Sequence, residues 1–208
     1  MKKVLKYLRE LSVVVVGIAI TVSIGIWINN RNNEKDLELY LDAIKLELEQ
    51  NIKDIDLIIE SMQQSVAYAN YLATHDKDSL NRDTINSYSN VFYQIQSISY
   101  KTNAFEMFKL SGVMRLMDDR ELLLSIWEGY TFLDELKTLL EWGFQLKFEE
   151  VKKELPMLAA GKTDFIPMYT FYTVTPWPYE MPRLCSDASD TLKEILSKLR
   201  GEQSSPGK

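Results

Sequence analysis

Residues 34–73 read EKDLELYLDAIKLELEQNIKDIDLIIESMQQSVAYANYLA, forty positions without a glycine or a proline. One series within them runs Leu37, Leu41, Ile44, Leu48, Asn51, Ile55, Ile58, Met62, Ser65, Ala69, Leu72. Its steps alternate between four and three, the spacing that keeps side chains on one face of a helix. Asn51 is the polar member, placed where a buried asparagine sets helix register. Ile52, Leu57, Ile59 and Val66 widen the apolar face beyond a two-stranded seam. That width favours packing against later helices of the same chain, with an intermolecular coiled coil as the alternative.

On the N-terminal side, residues 11–30 contain no charge, and Leu11 to Ile28 read LSVVVVGIAITVSIGIWI. At about 1.5 Å per residue such a stretch spans about 30 Å, the hydrocarbon thickness of a bilayer. A helix is expected despite the β-branched residues, because lipid offers no partner for backbone N–H and C=O groups. Trp27 lies near one end, where an indole suits the interface. Lys2, Lys3, Lys6 and Arg9 precede the stretch, whereas Arg31 and Lys35 follow it mixed with Glu34 and Asp36. The positive-inside rule then places the N-terminus in the cytoplasm and residues 31–208 outside. A cleaved signal peptide, cut near Ser23-Ile24-Gly25, is the competing reading; it would leave Ile26, Trp27 and Ile28 at a new N-terminus. Gly17, Thr21 and Gly25 form a small-residue stripe of the kind that lets membrane helices approach closely. Traced backwards, the Leu37–Leu72 seam reaches Asn30, Trp27 and Ser23. It misses the stripe, so one straight dimer interface cannot use both.

On the C-terminal side, His75-Asp76-Lys77-Asp78-Ser79 is a polar break. Helical spacing resumes over 82–100. Thr102 is placed to cap a short helix with Phe105 and Phe108, which Gly112 closes. Asp118-Asp119-Arg120-Glu121 reads as a helix start, the acids meeting the positive end of the dipole. That helix is expected to run to about Leu158, with Ile126, Tyr130, Leu133, Leu140 and Phe144 inward, possible bends at Gly129 and Gly143, and an end or kink at Pro156. Residues 161–185 carry Pro167, Pro176, Pro178 and Pro182 among aromatic rings and read as an irregular crossing; TFYTVT (170–175) has strand propensity but no clear partner. Ser186 or Ser189 is the expected cap of a last helix ended by Gly201.

The expected organisation is all-α. A basic segment (1–10) leads into a transmembrane helix (11–30) and an amphipathic stalk helix (31–75). A small antiparallel helical body (79–160), an irregular Pro/aromatic segment (161–185), a C-terminal helix (186–200) and a disordered tail (201–208) follow. Composition excludes several functions. The 208 residues hold 24 Lys+Arg against 30 Asp+Glu, a net charge of −6, and the basic end makes the remainder more acidic still. Nucleic-acid binding is not expected of such a body. One cysteine and one histidine rule out an internal disulfide framework, a Cys-based zinc site and multi-His metal sites.

The motifs that carry chemistry elsewhere are incomplete here. Gly161-Lys162-Thr163 ends like a phosphate loop, but position 156 is Pro where the motif needs glycine. Asp76-Lys77-Asp78 lacks the glycine and glutamate of a calcium loop, which fall at Asn81 and Ser87. His75 has no nucleophile elbow beside it and reads as an exposed loop residue. Cys185 reads as a free buried thiol, with an intermolecular bridge as the alternative. Glu149, Glu150 and Glu154 among lysines read as a wet helix face. Tyr169, Tyr172 and Trp177 are the residues of a possible groove, since such rings anchor ligands. No catalytic residue, cofactor ligand or metal ligand is assigned.

The basic start, VVVVGIAITVSIGIWINNRN (13–32) and Leu48-Glu49-Gln50-Asn51 resemble a family of uncharacterised bacterial single-pass membrane proteins. Phe105-x-x-Phe108-Lys109-x-Ser111-Gly112, Leu116-Met117-x-Asp119-x-Glu121-Leu122 and Trp127-x-x-Tyr130 strengthen the likeness. The resemblance implies a Gram-negative inner membrane and a helical periplasmic body, and no activity. The expected function is a non-enzymatic envelope interaction or scaffold module. Its partners would be the lipid bilayer, an envelope protein, and a second copy through the transmembrane or stalk helix. A ligand-sensing helical ectodomain working through a membrane partner is the alternative.

Overall fold

A computed structural model of the chain describes residues 2–92, 100–162 and 165–201, with side chains at 20–23 and, within those ranges, from 31 onward. Its elements are helices, and no strand occurs among the described residues. Helix α1 (Lys2–Thr74) is unbroken. Short helices α2 (Arg82–Ser87) and α3 (Ser89–Phe92) follow, then α4 (Asn103–Ser111), α5 (Arg120–Ala159), α6 (Tyr169–Val174) and α7 (Trp177–Leu199).

The α1 seam is an intramolecular one. Ile44, Leu48, Asn51, Ile55, Ile58, Ala69 and Leu72 are buried against the chain's own later helices. Helix α7 packs on both α1 and α5. Its Met181, Cys185, Ala188, Leu192 and Ile195, again at steps of four and three, are all buried. Arg200 meets Glu49 and Lys193 meets Asp56, so α7 runs antiparallel to α1. It is antiparallel to α5 as well, since Gly129 faces Ile195 and Gly143 faces Trp177. Two apolar clusters result. The larger joins Ile44–Ile58, α4, the first half of α5, and α7. The smaller gathers Tyr68, Leu72, Ile85, Val91, Met168, Phe171 and Tyr172.

The helix ends follow local chemistry. Asp119 caps α5 by accepting the Leu122 N–H at 2.9 Å. Gly112 (φ +71°) and Gly161 (φ +66°) take the left-handed conformation that closes α4 and α5, one open to glycine at little steric cost.

Several expectations are corrected. Within the segment expected to be irregular, residues 170–174 of TFYTVT belong to α6. Helix α7 starts at Trp177, nine residues before the expected cap, because Pro176-Trp177-Pro178 suits a first helical turn. Ser189 is therefore a buried interior residue, donating to Asp56 Oδ1 at 2.7 Å. Pro156 does not end α5, which continues to Ala159. Gly129 and Gly143 are points of close helix approach: an added Cβ would lie 2.5 Å from Ile195 Cδ1 and 1.9 Å from the Trp177 ring. Thr102 makes no side-chain cap. Residues 93–99 of the expected 82–100 helix and 202–208 of the tail lie outside the described residues.

The 11–30 stretch belongs to α1, and of its side chains only Ile20, Thr21, Val22 and Ser23 are described, all exposed. Among the described residues no helix is long and apolar enough to cross a membrane. The structure thus supports a helix at 11–30 and not its place in a bilayer.

Candidate functional site

Five helices meet where the smaller cluster borders the larger. Pairs of residues four apart turn toward the junction: Ser61 and Ser65 from α1, Gly143 and Lys147 from α5, Pro178 and Pro182 from α7. Val91 of α3 and Tyr172 of α6 complete the polar side, while Phe144 and Trp177 wall the apolar side. Together they line a partly open cavity of about 60 Å³. Because residue 143 is glycine, the Trp177 ring can lie directly on the α5 backbone.

Lys147 is the charged group among the described lining residues and is only 9% exposed. Its Nζ donates to the Val91 carbonyl at 2.7 Å. Burial disfavours the ammonium and lowers its pKa to about 8. Tyr172 approaches the same carbonyl, its hydroxyl 3.4 Å from Val91 O and 3.5 Å from Ser65 Oγ. Both contacts are long for O–H···O bonds, whose usual length is about 2.7–2.8 Å. Burial pushes the Tyr172 hydroxyl up to about 12.

The expected aromatic groove is divided. Tyr172 and Trp177 line the cavity. Tyr169 faces another way, with Lys77 Nζ 5.1 Å from its ring centre, over an open cleft that includes Arg82, Glu150 and Glu154. Glu154 is 4% exposed rather than wet. One of its oxygens accepts the Met168 N–H, and burial raises its pKa.

Asn51 sets a register, though of a loop and not of a second chain. Its side-chain amide donates to Lys101 O and accepts from Lys101 N, both at 2.8 Å. Glu47, which sequence reasoning missed, is a second buried polar centre. It accepts from Ala104 N (2.8 Å), Phe105 N (3.3 Å) and Tyr130 Oη (2.7 Å), capping α4 in place of Thr102. Burial, and next the bond to Glu47, hold the Tyr130 hydroxyl well above its usual range. The signal for Glu47 was an acid three residues after Ile44 and beside Leu48, inside the apolar face.

Of the remaining candidates, Thr21 is exposed, and Gly17 and Gly25 lie outside the residues whose side chains are described. His75 is exposed and lies tilted against the Tyr71 ring, 4.6 Å between centroids. Cys185 is a buried free thiol whose pKa burial pushes up to about 12. Among the described residues no group of three or more His, Cys, Asp or Glu is placed to hold a metal ion. No family model, curated protein or solved structure matches the chain.

Proposed function

We propose that the chain is a helical interaction module of a bacterial inner membrane. It would be tethered through residues 11–30, with its N-terminus in the cytoplasm and its body in the periplasm. One observation carries this reading: α1 continues without a break from the basic N-terminus, through the apolar stretch, into the seam at the centre of the body. A tether and a core on one helix move together, so force or approach at the membrane reaches the body without a flexible linker.

The same continuity supports a second copy as a partner. The inner seam is taken by α4 and α7, which leaves the opposite face of α1. Leu39, Leu46 and Leu57 stand there at 71%, 67% and 55% exposure. Stepping by helical turns, the face runs 57, 53, 50, 46, 43, 39 and then 35, 32, 28, 25, 21, 17. Gly17, Thr21 and Gly25 therefore share the side of the exposed leucines, and the conflict with the inner seam disappears. Flanking acids are already neutralised within the chain: Asp42 by Lys45, Glu49 by Arg200, Asp56 by Lys193. A second acidic copy then meets less repulsion than the net charge suggests.

Single cysteines at Leu39, Leu46 or Asp134 in a Cys185→Ser background, cross-linked in native membranes, test this reading. Dimer is expected from positions 39 and 46 and not from 134 on α5, with the yield lowered by Gly17→Leu/Gly25→Leu. Equal yields at all three positions would remove the dimer face, and release of the chain by carbonate would remove the tether.

A ligand-sensing ectodomain is the second reading. The cavity beside Lys147 favours it, because charged, hydroxyl and aromatic groups converge there.

A further inference from the structure

We infer that the open cleft beside Tyr169 binds a zwitterion with an apolar side chain, either a free amino acid or a short peptide. The ligand's ammonium would meet Glu154 and its carboxylate Lys77 and Arg82. The inference is independent of the tether, of the dimer face and of the Lys147 cavity. It rests on how charge is divided over the cleft and on one buried oxygen.

One wall is the face of α5 formed by Glu150, Lys153, Glu154 and Met157, residues that share a side at helical spacing. It carries two acids against one lysine. The segment between α1 and α2, with Arg82 of α2, forms another wall and carries Lys77 and Arg82 against Asp78. Leu80, Phe165 and Ile166 add apolar surface. Glu150 is neutralised by Lys153 at 2.9 Å, which leaves Glu154 as the acid of the α5 wall. Glu154 is 4% exposed; one of its oxygens accepts the Met168 N–H, and the other is buried with no hydrogen-bond partner. Such an oxygen has given up its water and gained nothing in return. The fold supplies it no donor, so a donor must enter from the cleft, and an ammonium is the donor that a carboxylate holds most strongly. Burial raises the Glu154 pKa, and an ammonium beside it would favour the charged form again.

On the other wall Lys77 and Arg82 make no ion pair among the described residues. The Lys77 ammonium lies over the Tyr169 ring, and Arg82 Nη1 donates to the Phe165 carbonyl at 2.8 Å. The rest of the guanidinium fork is left for a carboxylate. A simple anion in the cleft would face Glu154, Glu150 and Asp78, and a simple cation would face Lys77, Arg82 and Lys153. A ligand that carries both charges complements both walls, and each wall rejects the ligand that lacks one.

Occupancy would also reach the core. The Met168 N–H held by Glu154 belongs to the non-glycine residue at positive φ among the described residues (φ 56°), and its side chain is fully buried in the smaller cluster. Tyr169, which borders the cleft, follows it directly. A ligand on Glu154 thus acts one hydrogen bond away from the turn that sets both residues.

The test is calorimetric titration of the full-length chain in detergent micelles with L-leucine and with leucyl-leucine. N-acetyl-leucine, which lacks the ammonium, and leucinamide, which lacks the carboxylate, serve as blocked forms. Saturable binding of leucine or leucyl-leucine, at least tenfold tighter than either blocked form, is the expected result. Tighter binding of leucyl-leucine identifies a peptide and tighter binding of leucine a free amino acid; both uphold the zwitterion. Glu154→Gln keeps an acceptor for the Met168 N–H but removes the charge, and should weaken binding at least tenfold. Lys77→Met, at an exposed position, should weaken it several-fold. If Glu154→Gln fails to fold, Lys77→Met and the blocked forms still decide. Absence of saturable binding, a blocked form that binds as well as its parent, or unchanged affinity in either folded variant would each overturn the assignment.

Discussion

Glu47 and Lys147 are both charged and both less than a tenth exposed, at 7% and 9%. Their surroundings differ. The Glu47 carboxylate takes two backbone N–H groups and a tyrosine hydroxyl, and ties α1 to α4 and α5. Lys147 meets a backbone carbonyl at the edge of an open space. The first arrangement is closed: its donors come from the fold itself, and rearranging it would unpair them. The second keeps room beside the charge. A buried ion whose partners come from several helices ties those helices together, whereas one bordering a cavity sets the polarity of that space.

The largest effect that would sharpen this contrast is expected at Glu47. Glu47→Ala should cost about 3 kcal/mol, since it leaves the Ala104 and Phe105 N–H groups and the Tyr130 hydroxyl without their acceptor. Glu47→Gln should recover part of that loss by keeping an acceptor oxygen. Chemical denaturation of the full chain in micelles reads both, and a loss below about 1 kcal/mol for Glu47→Ala would break the comparison.

A smaller effect is expected where the cavity depends on close approach. Gly143→Ala places a methyl against the rigid Trp177 indole and should destabilise by about 2 kcal/mol, with a change in the tryptophan near-ultraviolet signal. Gly129→Ala meets the end of a flexible isoleucine and should cost less. Equal costs would mean that the ring is not held on the α5 backbone.

The smallest effect concerns pH. The folded state lowers the Lys147 pKa from 10.5 to about 8, so between those values the unfolded chain binds the extra proton. Stability therefore rises with pH over this window, by about 1 kcal/mol from pH 8 to 9. Above pH 9 the Cys185 thiol, held protonated by burial in the fold, pulls the other way. Lys147→Met should remove the rise between pH 8 and 9; a rise that survives in this variant would assign it to another group.

Much of the fold was legible in residue spacing. The four-and-three steps of α1, the Asp119 cap and the glycines after α4 and α5 are local features, and local chemistry decides them. The boundaries of α7 were not, because Pro182 and the aromatic run masked a helix whose first turn tolerates proline. Segment 161–185 was read as irregular for a related reason: its prolines and the unpartnered strand propensity of TFYTVT hid a short helix whose Phe171 and Tyr172 are buried by neighbouring helices. Of the site, Tyr172 and Trp177 were legible as unusual aromatic residues. Lys147 was not, since a lysine in a helix with many charges carries no mark of burial.

The order of residues alone determined that the chain is helical, that a basic start and an uncharged stretch precede an amphipathic seam, and that its body is acidic; that these segments form one unbroken helix came from the structure. Periodicity and charge act over a few residues and need no knowledge of the rest. Only the tertiary structure decided that the seam is filled by α4 and α7, that Asn51 clamps Lys101, and that Lys147, Tyr172 and Trp177 converge. Those contacts join residues far apart in the chain, and a period of 3.6 says which face is apolar but not what will cover it.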